Sequence, residues 1–307
     1  MAGNIRATQA RQRANFVIFL GPAILLLFLF YVAPVIVNIF IAFTDMGSDL
    51  EWTEISTENF ERMARKDRIL THTVIPVTFF FVLGTLAVFN VTFGLILALV
   101  TTSVQARSGA FFRAIWLLPR MSPSVVYALL WAWVITPTDY GLLNQVANGL
   151  FGLPLTDLMG NNPVFLIILV NGFIGASLGM IILTSAIRSI PEHLFHAARV
   201  DGAGGWSIVR HITLPAIRWP LSFITVYQTL SLLVSFEYIW LVTDGGPFYD
   251  TTVYALYVYK RAFFDGQYGY GAAMALVLVI VGIVVALMLW RFLDMQRLMQ
   301  EPRIEVN

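Results

Sequence analysis

The chain has no cysteine, and its 307 residues include only two lysines, Lys66 and Lys260. The first absence excludes disulfide frameworks and thiolate metal sites. The second excludes a phosphate-cradling loop, because neither lysine stands in a G-x-x-x-x-G-K-[ST] pattern. Charge is also scarce: 12% of residues are Asp, Glu, Lys or Arg, against about a quarter in an ordinary soluble domain. The four histidines, His72, His193, His196 and His211, lack metal-site spacing. No converging set of His, Asp, Glu or Ser suggests a catalytic centre.

What the chain has in quantity is apolar surface, with 58% hydrophobic residues. Uncharged runs cover 14–44, 69–106, 158–187, 219–236 and 266–290, each long enough, or nearly so, for the roughly 20 helical residues that cross a bilayer core. A sixth span is read over 112–136, despite Arg120 and nearby prolines, because it has the length and ends in a tryptophan-rich band. The expectation is an all-α polytopic membrane protein with one domain, 1–307, and six transmembrane helices. Their ranges are about 16–43, 73–101, 112–136, 163–187, 219–241 and 270–292. Lys and Arg concentrate in cytoplasmic loops. With Arg6, Arg11 and Arg13 placed inside, 12 arginines fall on the cytoplasmic side and six cations outside. The first apolar run is longer than the core of a cleavable signal. Both termini are therefore expected in the cytoplasm.

The connection 188–218 is too patterned for a linker. Pro191 can open a helix, Asp201-Gly202 breaks it, and "WSIVRHITL" gives a second short helix with Trp206, Val209 and Ile212 at helical spacing. Asp201 is expected to cap that second helix. Small residues at the elbow, Ala197, Ala198, Gly202 and Ala203, let another surface approach closely, while Leu194 and Trp206 offer apolar area.

The run His196-Ala197-Ala198, Arg199-Val200, Asp201-Gly202-Ala203, closed by Ile212-Thr213-Leu214-Pro215, resembles the cytoplasmic signature of permease subunits of binding-protein-dependent ABC importers. His196 stands where that family usually has Glu. "TDGGPFYDTTVYALYVYKRAFFDGQYGYGAAMA" over 243–275, "STENFERM" and "FFRAIWLLPRMSP" resemble the carbohydrate-uptake branch, with its maltose-type and glycerol-phosphate-type permeases. The resemblance implies the type I ABC importer permease fold in a bacterial inner membrane, paired as a heterodimer with a second permease. It also implies two cytoplasmic ATPase subunits, which hold the ATP and Mg that this chain lacks, and an extracytoplasmic solute-binding protein. His196, Ala197, Ala198, Asp201, Gly202, Ala203, Leu214 and Pro215 would then couple the permease to its ATPase.

Sugars stack an apolar face on aromatic rings and pair hydroxyls with carboxylates and amides. Trp131, Trp133, Gln228, Phe236, Glu237, Tyr238 and Trp240 are therefore candidates for the solute pathway, with Asn90 and Asn171 as polar groups inside apolar spans. Counted along straight helices, Glu237 lies about 28 Å beyond Arg218 and Arg120 about 10 Å beyond Arg113. The two are thus expected at different depths, unpaired. Asp244-Gly245-Gly246-Pro247 reads as a tight turn. A secondary transporter would need ion-coupling acids or broken helices at the midplane, and few such residues are present.

Overall fold

The computed structural model describes residues 18–294, and these group into two compact units. In chain order the principal helices are α1 (Ile18–Ala42), α2 (Leu70–Ser103), α3 (Ala106–Met121), α4 (Ser124–Val134), α5 (Leu142–Phe151) and α6 (Pro163–Arg188). They continue as α7 (Glu192–Val200), α8 (Gly205–Ile208), α9 (Arg218–Leu233), α10 (Glu237–Thr243), α11 (Tyr254–Tyr259) and α12 (Tyr268–Phe292). Both chain ends lie outside the described residues.

Four of these helices, α1, α2, α6 and α12, are long and apolar enough to cross a membrane, and a fifth span exists if the bent pair α9 and α10 counts as one. The expected six are not found. Proline is the reason at the third position. Pro119 removes one helical donor, and Pro123 forces Ser122 into an extended conformation, φ −74° and ψ 141°. The helix stops at Met121 and restarts as the 11-residue α4, about 16 Å long where about 30 Å is needed. The expected 219–241 span is likewise interrupted between Leu233 and Glu237, where the two pieces bend by 49°.

One unit comprises residues 1–66 and 258–277, of which 1–17 are not described. Asn38 Nδ2 donates to Ala272 O at 3.4 Å, Gly269 N to Met46 O at 2.9 Å and Arg62 to Gln267 Oε1 at 2.9 Å. The Arg62 guanidinium also sits 4.1 Å from the Tyr270 ring centroid. Asp45 accepts from Thr53 Oγ1, Thr53 N and Glu54 N. These bonds to the charged carboxylate hold its pKa down at about 2, and they fasten the loop on itself.

In the other unit α6 is the most buried span, and its apolar residues pack in three clusters. It crosses α2 closely because three glycines face that helix. A Cβ on Gly172 would overlap Phe89, one on Gly175 the Asn90 amide and one on Gly179 the Asn90 carbonyl. Lipid tails are as apolar as side chains, so such close backbone packing, more than water exclusion, holds spans together. Around this crossing α2 widens into π-type turns over Thr85–Phe93, a deviation that often accompanies functional sites.

Candidate functional site

The two chain breaks meet. Ser124, first residue of α4, donates from Oγ to Glu237 Oε1, first residue of α10, at 2.5 Å. Tyr127, one turn on, donates to Val170 O of α6 at 2.6 Å, which fixes α4 against the central span. Its ring meets Tyr238 edge-on at 5.5 Å, while Trp131 meets Phe173 edge-on at 5.8 Å. Phe173 in turn stacks on Trp116 at 5.2 Å. Tyr127, Trp131 and Phe173, with Pro119 and Ser122, line a cavity of about 310 Å³. The proline break that ended the third span thus opens this recess.

Further polar groups approach from α6 and α9. Asn171 Nδ2 donates to Ser235 Oγ at 2.9 Å and Gln228 Nε2 to Gly175 O at 3.0 Å. Asn90 is fully buried against Gly175, and neither its Oδ1 nor its Nδ2 has a hydrogen-bond partner. An unpaired buried amide costs about 1–3 kcal/mol.

Of the nine expected pathway residues, Trp131, Tyr238 and Glu237 gather at the double break, and Asn171, Gln228 and Asn90 are buried where α9 and α2 pack on α6. Phe236 and Trp240 pack onto an apolar cluster with Phe81 and Ile167, and Trp133 is turned outward. Arg120 and Glu237 both lie within electrostatic reach of the Tyr238 hydroxyl. The straight-helix count from Arg218 to Glu237 crosses the break between Leu233 and Glu237, whereas that from Arg113 to Arg120 stays within α3. Ser124, Tyr127, Phe173, Gly175 and Ser235 were not foreseen. The only signal near them was the prolines of the 112–136 run, which read as interruptions of a span.

The 188–218 connection is two short helices anchored from below. Phe195, Ile212 and Leu214 pack with Ile187, Ile190 and Ile217, which joins the segment to the ends of α6 and α9. His196, Ala197 and Ala198 lie on α7, Leu214 and Pro215 in the last turn before α9. Asp201 does not cap the second helix. Its own N–H closes α7 on Ala197 O, and Gly204 is the N-cap of α8, without a side-chain bond. Two residues intervene after Gly202, so the Asp201 carboxylate is at the wrong end of the elbow. Gly202 takes φ +79°, and a Cβ there would meet nothing within 4 Å. Val200 and Trp206 are 87% and 74% exposed, an apolar outward face beside that elbow.

The 243–252 turn uses glycine in earnest. Gly245 has φ +77°, and its carbonyl accepts from Thr252 Oγ1 at 2.9 Å while Gly246 O accepts from Thr251 Oγ1 at 2.7 Å. A Cβ on Gly245 would overlap Thr252 Oγ1.

The bond between the breaks makes a direct prediction. Ser124→Ala should lower the thermal stability of the purified protein by about 1 kcal/mol, below the usual range for a bond to a charged acceptor because the pair is open to its surroundings. Glu237→Gln keeps an acceptor oxygen and should retain most of it. Differential scanning fluorimetry of the two variants checks this, and an unchanged Ser124→Ala midpoint contradicts it.

An all-helical, multi-pass membrane unit built on a kinked central bundle is the class defined so far. Its fold is that of a solved bacterial ABC transporter for import of the acidic polysaccharide alginate, with a TM-score of 0.81 at 23% identity over 97% of this chain and 100% of that one. This is the type I importer fold. Residues 90–296 match the model of the binding-protein-dependent transport system inner membrane component. A probable ABC transporter permease protein of Pyrococcus horikoshii is 34% identical over 88% of this chain and 92% of its own. The diacetylchitobiose uptake system permease protein of Streptomyces coelicolor is 29% identical over 88% and 80%. The chain belongs to the binding-protein-dependent transport system inner membrane component family. It is a multi-pass inner-membrane permease subunit. It has no nucleotide-binding motif, and the described residues contain no group that could hold a metal. ATP hydrolysis belongs to a separate partner in such systems.

Proposed function

We propose that this permease subunit passes a carbohydrate through the membrane by alternating access, along a path beside the double helix break. The observation that carries the reading is the juxtaposition there of Tyr127, Trp131 and Tyr238 with the Ser124–Glu237 pair. Aromatic faces hold the C–H side of a pyranose, and a carboxylate and hydroxyl exchange hydrogen bonds with its hydroxyls. A similar permease is named for diacetylchitobiose uptake, and the 243–275 pattern supports the maltose- and glycerol-phosphate-type branch. In this reading Gln228, Asn171 and Asn90 are the polar groups buried where α9 and α2 pack on α6. The exposed guanidinium of Arg120 beside the break favours an anionic sugar derivative. Arg120→Gln should then weaken transport of charged solutes more than of neutral ones, and equal effects on both would remove that preference.

The assembly proposed is a heterodimer with a second permease, two ATPase subunits and a solute-binding protein. The 188–218 segment docks on the ATPase through His196, Ala197, Ala198, Asp201, Gly202 and Ala203, with Leu214 and Pro215 joining it to α9. ATPase closure would move the segment as a rigid body, because Phe195 and Ile212 seat it on the ends of α6 and α9. The test is uptake by the reconstituted complex in vesicles. Transport of a labelled saccharide should require the binding protein, the ATPase and enclosed ATP, and should survive an uncoupler. Collapse with the uncoupler would point to an ion-coupled carrier instead.

A further inference from the structure

Helix α9 carries a row of aromatic rings that none of the preceding roles uses. Trp219, Phe223 and Tyr227 stand four residues apart on one side of it. Trp219 and Phe223 have ring centroids 5.6 Å apart with planes only 6° from parallel, and Phe223 and Tyr227 follow at 6.2 Å and 20°. The three rings are 38%, 41% and 49% exposed, whereas Ser222, Ile224, Gln228, Thr229 and Leu232 of the same helix are buried. The ladder therefore lies on the open face of α9 and runs about 12 Å along it, eight residues at 1.5 Å each.

One feature separates this face from one that meets lipid. The α9 row continues from Tyr227 to the exposed Ser231 and on to Ser235, which pairs with Asn171. The upper end of the row thus runs into the polar groups of the double break. Its lower end starts one residue after Arg218, where the 188–218 segment joins the helix.

We infer that Trp219, Phe223 and Tyr227 form a stacking track for the pyranose rings of the carbohydrate, leading between the double break and the 188–218 end of α9. The inference rests on the carbohydrate reading above. Flat rings repeated at about one helical turn offer successive apolar platforms to successive sugar rings, and stacking is indifferent to the linkage and hydroxyl pattern of each. A track of this kind lets a solute advance without a deep well at any one position.

The absence of cysteine from this chain allows a clean test in the assembled complex. Trp219, Phe223 and Tyr227 are replaced singly by cysteine and exposed to a charged, membrane-impermeant methanethiosulfonate, with Val279→Cys on α12 as the lipid-facing control. Thiols react as thiolates, which form in water and not in lipid. Phe223→Cys and Tyr227→Cys should react at least tenfold faster than Val279→Cys in one nucleotide state. Rates no faster than the control in every state, as expected for a face against lipid or the second permease, overturn the track. This arm needs no sugar, so it separates the track from the carbohydrate reading.

In the second arm, vesicles take up labelled diacetylchitobiose and an alginate trisaccharide, delivered by the cognate binding protein. The Trp219→Leu, Phe223→Leu, Tyr227→Leu triple variant should lose at least fivefold in uptake, and Trp219→Phe with Tyr227→Phe, which keeps all three rings, should stay within twofold. Equal losses in both variants, or none in either, overturn the stacking role. If the unmodified complex carries no saccharide, the carbohydrate reading falls, and the sugar assignment of the track falls with it.

Discussion

Gly202→Trp is expected to insert normally in the membrane and to abolish solute-stimulated ATP hydrolysis. The structure separates the two effects. A Cβ at Gly202 meets nothing within 4 Å in this chain, so the added side chain has no internal clash. Its internal cost is that of a non-glycine residue at φ +79°, about 1–2 kcal/mol. The indole would instead project from the elbow beside Val200 and Trp206, on the face proposed to seat in the ATPase. Gly202→Ala carries the same backbone cost with little bulk, so it should keep most of the stimulation. Hydrolysis measured with and without loaded binding protein decides the matter. Normal stimulation in the tryptophan variant would mean that the elbow does not enter the ATPase.

The second large effect is expected at the crossing of α2 and α6. Gly175→Ala should destabilise the protein severely, because its Cβ would occupy the place of the Asn90 amide. Overpacking of this kind costs about 1–3 kcal/mol or more. Asn90→Ala should relieve much of it by vacating that space, with a coupling energy in the range of about 0.5–3 kcal/mol found for residues in contact. Gly179→Ala supplies the contrast. Its obstacle is the Asn90 main-chain oxygen, which Asn90→Ala leaves in place, so no rescue is expected. Thermal midpoints of the three single and two double variants test the scheme, and equal rescue at both glycines would refute it.

Of the five long apolar runs read as spans, four form unbroken membrane-length helices, because a membrane demands about 20 apolar residues in sequence. The 188–218 signature and the 243–275 pattern pointed to the family that residues 90–296 match. The third span misled. Composition over 112–136 counts apolar residues, but Pro119 and Pro123 decide whether they form one helix, and they do not. The substrate-facing candidates were foreseen unevenly for a related reason. Trp131, Glu237 and Tyr238 are conspicuous as residue types, whereas Ser124 and Tyr127 matter through partners 113 and 43 positions away. Asp201 shows the same limit at short range. Its identity suits an N-cap, yet the turn at Gly202 puts the N-cap of α8 at Gly204.

Hydropathy, the scarcity of lysine, the lack of cysteine and the glycine-containing motif are properties of the chain in order, so they alone settled the solvent, the lack of a phosphate loop and the family. Where the helices break, which breaks touch, and which glycines admit a neighbouring helix depend on contacts between distant segments. Those were settled only by packing, since a proline or glycine states that the backbone can depart from a helix there and not what will fill the space it leaves.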